Sequence, residues 1–332
     1  MAKPFYYGGQ AVMEGVMMRG RSSMAVAVRA PDGRIVLYEE ALQPGPVLRA
    51  VRNVPFVRGA IVLWDTLLLG MRALIFSANV GLQEQATDED GKPREEPQLL
   101  AGPLLWLTVS ISLLFSIALF FVMPLAVIGF LDRWIESDFV SNVIEGGIRL
   151  GVLIGYMALI GQMNDIRRVF GYHGAEHMTI NAYEAGSPID VQHARAASIT
   201  HIRCGTGFLL IVVLMSIFVF AMLGRPDWIW RVGSRIVLVP FIAALAYEVI
   251  RFGARHAEHV VTRVILAPGL ALQSVTTRAP EDGMLEVAIA AFKRVLATDA
   301  VIPESELDPA IVVVDTSGRP LVRTPELEPV LT

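Results

Sequence analysis

Along this chain, long uncharged runs alternate with segments as polar as those of a soluble protein. A bilayer selects such runs, because about 30 Å of hydrocarbon is crossed by about 20 apolar helical residues. Four runs, 103–131, roughly 148–163, 205–224 and 232–252, each predict a spanning helix, with Arg149, Arg235 and Glu248 near the ends of the second and fourth. A fifth run, 60–82, is long enough to span but carries Asp65 and Arg72. Those two charges, seven residues apart, share a helical face, so the pattern predicts an interfacial or protein-covered helix. Near the amino end, apolar residues alternate at Met24, Val26 and Val28 and again at Ile35 and Leu37, around Pro31-Asp32-Gly33. That is the pattern of a β-hairpin. Residues 266–283 read as a loop, 284–296 repeat apolar residues at the spacing of an amphipathic helix, and several prolines mark a loosely ordered tail.

These elements describe a mainly α, polytopic membrane protein with about four transmembrane helices and a small amino-terminal β-hairpin region. Residues 1–58 form a Gly-rich segment and hairpin, and 59–102 an interfacial helix and acidic linker. Residues 103–253 form the four-helix region, with a polar loop at 164–204; 254–300 are a helical segment and 301–332 the tail. Lys and Arg in short loops are retained on the cytoplasmic side. Loop 132–147 has only Arg133 among Asp132, Glu136, Asp138 and Glu145, whereas 164–203 holds Arg167, Arg168, Arg195 and Arg203. The expected topology therefore puts 164–204 and both termini in the cytoplasm of an inner or plasma membrane. Arg225 and Arg231, in a short outside loop, argue the other way.

Composition agrees with a lipid bilayer as the main partner. The 332 residues are 54% hydrophobic and only 18% charged, with a mean hydropathy of +0.52. A net charge of -4 offers no basic surplus for nucleic acid. The first twenty residues hold no apolar core of a signal peptide. With one cysteine, Cys204, an intramolecular disulfide is excluded.

The sharpest chemical signal is Tyr172-His173-Gly174-Ala175-Glu176-His177, which contains the inverted zinc-peptidase pattern H-x-x-E-H. On a helix starting near Gly171, His173 and His177 stand one turn apart on one face and can share a divalent ion, zinc first. Glu176 beside them can accept a proton from metal-bound water. The competing reading is a polar helix end with two hydrogen-bonded histidines. His201 and Cys204 lie on the same inferred side with the two-residue gap that lets both side chains reach one ion. All four would make a closed, structural site, and three would leave a position open for catalysis. Cys204 reads equally as a small buried residue. Glu184 shares the histidine face but lies about 13 Å along the helix from the pair, which suits a supporting group better than a ligand. Glu14, among four glycines in 8–20, is a candidate third ligand, supporting partner or proton carrier. His256, Glu258 and His259 read as a snorkelling interfacial face. Glu145 and Arg149, at i and i+4, read as a pair at the outer membrane surface.

Five ordered motifs, GGQAVMEGVMMRG, VPFVRGA, YHGAEHMTINAYE, HIRCGTGF and PGLALQSVTTRAPED, resemble the YqhQ-like family of bacterial membrane proteins of unknown function, from about residue 7 to 295. The resemblance implies a metal-dependent enzyme without indicating a substrate. Its pattern takes in Glu14, His173, Glu176, His177, His201, Arg203 and Cys204. Met178 stands where many relatives carry lysine, and the 256–259 cluster is not a family feature. The leading expectation is a membrane-bound hydrolase at the cytoplasmic surface, acting on a peptide or lipid-linked substrate. In it His173 and His177 are ligands, His201 or Cys204 the third, Glu176 the general base and Arg203 an anion partner. The alternative is a noncatalytic membrane scaffold or assembly protein with a structural metal. A transporter is disfavoured because the runs contain few charges. Oligomeric state is not encoded in these patterns.

Overall fold

A computed structural model describes residues 5–42, 54–83, 103–255 and 259–316. The acidic linker, the last sixteen tail residues, His256 and Glu258 lie outside the described residues.

The expected hairpin is the centre of a larger sheet. Strands β1 (Gly8–Val12), β2 (Gly15–Arg19), β3 (Ser23–Arg29) and β4 (Ile35–Ala41) form an antiparallel meander, and β5 (Val312–Val313), from the segment expected to be loose, adds in parallel to β4. Val12 pairs with Gly15, leaving Met13 and Glu14 as a two-residue turn. Glu14 has φ 52, the left-handed conformation that tight hairpins require. Strand alternation divides the sheet into two buried faces. Val12, Met17, Met24, Val26 and Tyr38 pack against Leu69, Ala73, Phe76 and Val80 of helix α1 (Val57–Gln83). Val16, Met18, Ala25, Ala27 and Leu37 join a second core with Tyr172, Ala175, Leu285, Ala288 and Phe292. The latter come from α4 (Asn164–Glu184) and α9 (Asp282–Thr298). Asp299, just past α9, accepts from the backbone N–H groups of Arg21 and Ser22 at 2.8 and 3.0 Å, fixing the β2–β3 turn.

Both suspect charges of helix α1 pair with the sheet while staying partly exposed: Arg19 donates to Asp65 at 2.8 Å, and Arg72 donates to Glu40 of β4. The helix is nevertheless long and apolar enough to cross a membrane. So are the run α2, made of Pro103–Ile117, a π-helical turn Ala118–Val122 and Met123–Leu131, the helix α3 (Asp138–Ile160) and the helix α7 (Trp228–Arg255). The count of four candidate spans therefore holds among the described residues with a different membership. Gly205–Ala221, the third expected span, forms helix α6 of only 17 residues, about 26 Å long. Short α5 (Val191–Ala196) folds back from α4, and α8 (Val260–Thr276) takes in the first eleven residues of the segment expected as a loop, leaving 277–281 as the loop. Pro268-Gly269 breaks a helix in sequence terms, but Gly269 sits where an added Cβ would be 3.1 Å from Gly207 Cα. Close helix contact with α6 overrides the local preference.

Two expectations about charge are corrected. Helix α3 begins ten residues earlier than the apolar run, so Glu145 and Arg149 lie inside it. They do pair, at 2.7 Å, but buried at 1% and 5% side-chain exposure. Glu145 also accepts from Arg231 at 3.2 Å and from Arg235, fully buried, at 2.8 Å. Arg149 further donates to Phe120 O in the π turn at 3.1 Å and to Ser216 Oγ at 3.3 Å. The helices thus hold a buried charge network, contrary to the ground on which transport was disfavoured.

Candidate metal centre

Helix α4 starts at Asn164, seven residues before the expected Gly171, and carries the H-x-x-E-H residues in its buried middle. One side of it joins the sheet core through Tyr172, Ala175 and Ile180. The other presents His173 and His177, whose ring centroids are 4.4 Å apart. Gly174 between them explains how the next layer approaches: a Cβ there would lie 2.2 Å from Arg278 O. Without a side chain at 174, the α8–α9 connection passes close enough for Thr276 O to meet His173 Nδ1 at 2.8 Å. His177 Nδ1 is 2.7 Å from Ile199 O. A carbonyl only accepts, so Nδ1 is a protonated nitrogen in both rings, and in the neutral imidazole the lone pair is on Nε2.

Those lone pairs converge with the thiol. His173 Nε2 is 3.2 Å from Cys204 Sγ, and one ligand atom from each of His173, His177 and Cys204 lies within 4.8 Å of the others. His177 is 1% exposed, and its Nε2 is buried without a hydrogen-bond partner. Loop 198–204 is held in place from two directions. Asn181 Nδ2 donates to Ser198 O at 2.7 Å and Thr200 O at 3.0 Å. Gln273 accepts from His201 N at 2.9 Å and donates to its carbonyl at 2.8 Å. Neither clamp had a linear signature, except that Gln273 is a polar residue in an apolar stretch.

The other candidates separate from this trio. His201 is buried with an unbonded Nε2, its ring 5.7 Å from that of His177 and its Nε2 3.6 Å from Glu184 Oε2. Arg203 hydrogen-bonds Glu184 and lies 4.7 Å over the Tyr6 ring. Burial pushes the Glu184 carboxyl up, but His201 and Arg203 outweigh it and hold that group below the usual glutamate range. Glu184 is the supporting group that helix arithmetic allows, one step removed from the trio. Glu176, 5% exposed, faces the sheet, with Gly9 so close that a Cβ there would lie 2.8 Å from its Cγ. Glu14 lies elsewhere: Arg168 Nη2 donates to it at 2.6 Å and the Tyr172 hydroxyl at 3.3 Å.

The family described as "Protein of unknown function (DUF1385)" matches residues 54–298. A relative from Bacillus subtilis (strain 168), "Uncharacterized protein YqhQ", is 32% identical over 309 residues, covering 91% of this chain and 96% of the relative. No solved structure matches. The extent of the family match shows that the chain belongs to the DUF1385 family.

Proposed function

We propose that the protein is a membrane-bound, metal-dependent hydrolase whose divalent ion, zinc first, is held by His173, His177 and Cys204. One observation carries this reading: three ligand-type atoms converge while backbone carbonyls fix both imidazoles to present Nε2. Metal-ligating histidines are oriented in this way by an acceptor on the other ring nitrogen. The buried, unpartnered His177 Nε2 costs about 1–3 kcal/mol in the protein alone, and an ion is the partner its lone pair lacks. Two imidazoles and a thiolate suit zinc, and tetrahedral bonds of about 2.0–2.3 Å put ligand atoms roughly 3.3–3.8 Å apart. Small side-chain adjustments within the 4.8 Å group reach that geometry. The ion would supply Lewis acidity toward water or the substrate carbonyl or phosphoryl group. Glu176, on the same turn, is the proton acceptor in this reading, which requires its side chain to swing from the β1 side of α4 toward the trio. Arg203 is the group to hold an anionic substrate, which requires Glu184 to release it. The cluster of Arg167, Arg168, Arg195 and Arg203 supports the cytoplasmic surface as the side on which this work is done.

His201 favours a second reading, a scaffold with a closed structural site. Its buried Nε2 has Glu184 Oε2 at 3.6 Å but no hydrogen bond, and its ring stands near that of His177, so rotation away from Glu184 toward the trio makes a fourth ligand. One pair of variants separates the two. His177→Ala removes a ligand and lowers metal content and melting temperature in both readings. Glu176→Gln keeps shape and metal; in the hydrolase it abolishes complementation of a deletion strain, and in the scaffold it is silent. Full complementation by Glu176→Gln with metal bound overturns the hydrolase.

A further inference from the structure

The Cys204 side of the trio borders a narrow cleft between α6, α7 and α8. Its walls are Ile202, Ile250, Leu266 and Leu270; among the described residues its one polar side chain besides Cys204 is Gln273, already bonded to the His201 backbone. Ile250 belongs to a helix long and apolar enough to cross a membrane. The apolar surface continues outward, with Ile202, Val260 and Val264 all exposed.

We infer that substrate reaches the trio from the hydrocarbon side through this cleft, and that it is a lipid or lipid-linked molecule whose chain lies against α7 and α8 while its polar end meets Cys204 and His173. The choice of substrate class rests on the hydrolase reading; the route does not. A polar peptide entering here would lose its water without gaining partners, because the walls offer almost no free donors or acceptors. A hydrocarbon chain loses nothing by exchanging lipid for Leu266, Leu270 and Ile250. The free volume is about 10 Å³, room for roughly one water, so entry requires these side chains to part. Pro268 makes that easier, since it removes one backbone hydrogen bond from α8 at this level. Next to it, Gly269 and Gly207 meet without side chains between them.

Cys204 is the chain's single thiol, so the route can be tested without knowing the substrate. Metal-stripped full-length protein in phospholipid nanodiscs is treated with N-dodecylmaleimide, which dissolves in the bilayer, and separately with a sulfonated, membrane-impermeant maleimide. Each rate is normalised to the same reagent's rate at a control thiol, Ala185→Cys in a Cys204→Ala background, on the exposed end of α4. The expected result is labelling of Cys204 by the dodecyl reagent at least about tenfold faster after normalisation, since each methylene enriches it in the bilayer. Leu270→Trp, or Ile250→Phe should the first variant unfold, fills the cleft and removes that preference. Equal or faster labelling by the sulfonated reagent, or a preference untouched by a folded cleft-filling variant, overturns the route. Adding zinc reads the other proposal separately, because a thiol that ligates the ion is protected from both reagents. Protection together with polar access leaves the metal reading standing and sinks the lipid route. Dodecyl preference without protection does the reverse.

Discussion

Glu145→Gln is the most informative single perturbation of the fold. Three arginines, Arg149, Arg231 and Arg235, donate to this one carboxylate, all of them at most 7% exposed. The other nearby acid is Asp132, 2.8 Å from Arg231. Counting those five groups, three cations against two anions leave one excess positive charge; the substitution raises the excess to two. Glutamine keeps the volume and one acceptor oxygen, so packing barely changes and the charge is isolated as the variable. Removing one partner of a buried ion pair costs about 3–5 kcal/mol, because the other is left uncompensated. At roughly 2 °C per kcal/mol for a chain of this size, the melting midpoint falls by about 6–10 °C. Tryptophan fluorescence during thermal ramps of detergent-solubilised protein measures it. A companion double variant, Glu145→Gln with Arg235→Met, should recover most of the loss, since replacing a whole buried pair is close to neutral. A Glu145→Gln midpoint within about 2 °C of the parent would refute the view that this carboxylate neutralises the network.

Asp299→Asn tests the sheet's attachment to α9 through pH. Burial pushes the Asp299 carboxyl up, but hydrogen bonds from Ser22 and from the Arg21 and Ser22 backbone hold it below the usual aspartate range. Its contribution is therefore complete above the unfolded value of about 3.9 and is lost as pH falls through the lower folded value. The variant should flatten the acid limb of stability against pH, and an unchanged limb contradicts the assignment. Glu14→Gln breaks a pair whose side chains are 44% and 38% exposed, so the expected cost is at most about 1 kcal/mol. Metal content by plasma mass spectrometry should stay at the parent level, and a loss would restore Glu14 as a ligand.

What the sequence made legible was what helical and strand periodicity encode locally. His173 and His177 need only i, i+4 spacing to share a face, and the His201-x-x-Cys204 pair returns after a short excursion through α5. The 24–37 hairpin and the 284–296 helix were equally local. Elements decided by distant partners were not legible. Helix α8 persists through Pro268-Gly269 because α6 lies against it, and β5 forms because β4 has an open edge for Val312 and Val313. The Glu145 network was half visible: its i, i+4 pair with Arg149 is local, whereas Arg231 and Arg235 arrive from about 90 residues away.

The two polar constellations meet on one element, which gives the buried network a bearing on the site. Helix α6 starts directly after Cys204, and Ser216, on the same helix, receives Arg149 at 3.3 Å. Twelve residues separate the two positions, about 18 Å along the axis. Its neighbours α3, α7 and α8 share that length of helix, α8 by direct backbone contact at Gly207 and Gly269. A rigid helix pinned at the network end keeps its first turn in register, and the position of Cys204 relative to His173 depends on that register. The 3.2 Å approach of thiol to imidazole is therefore set from two sides. Asn181 and Gln273 fix the loop that precedes Cys204, and the ion network fixes the helix that follows it.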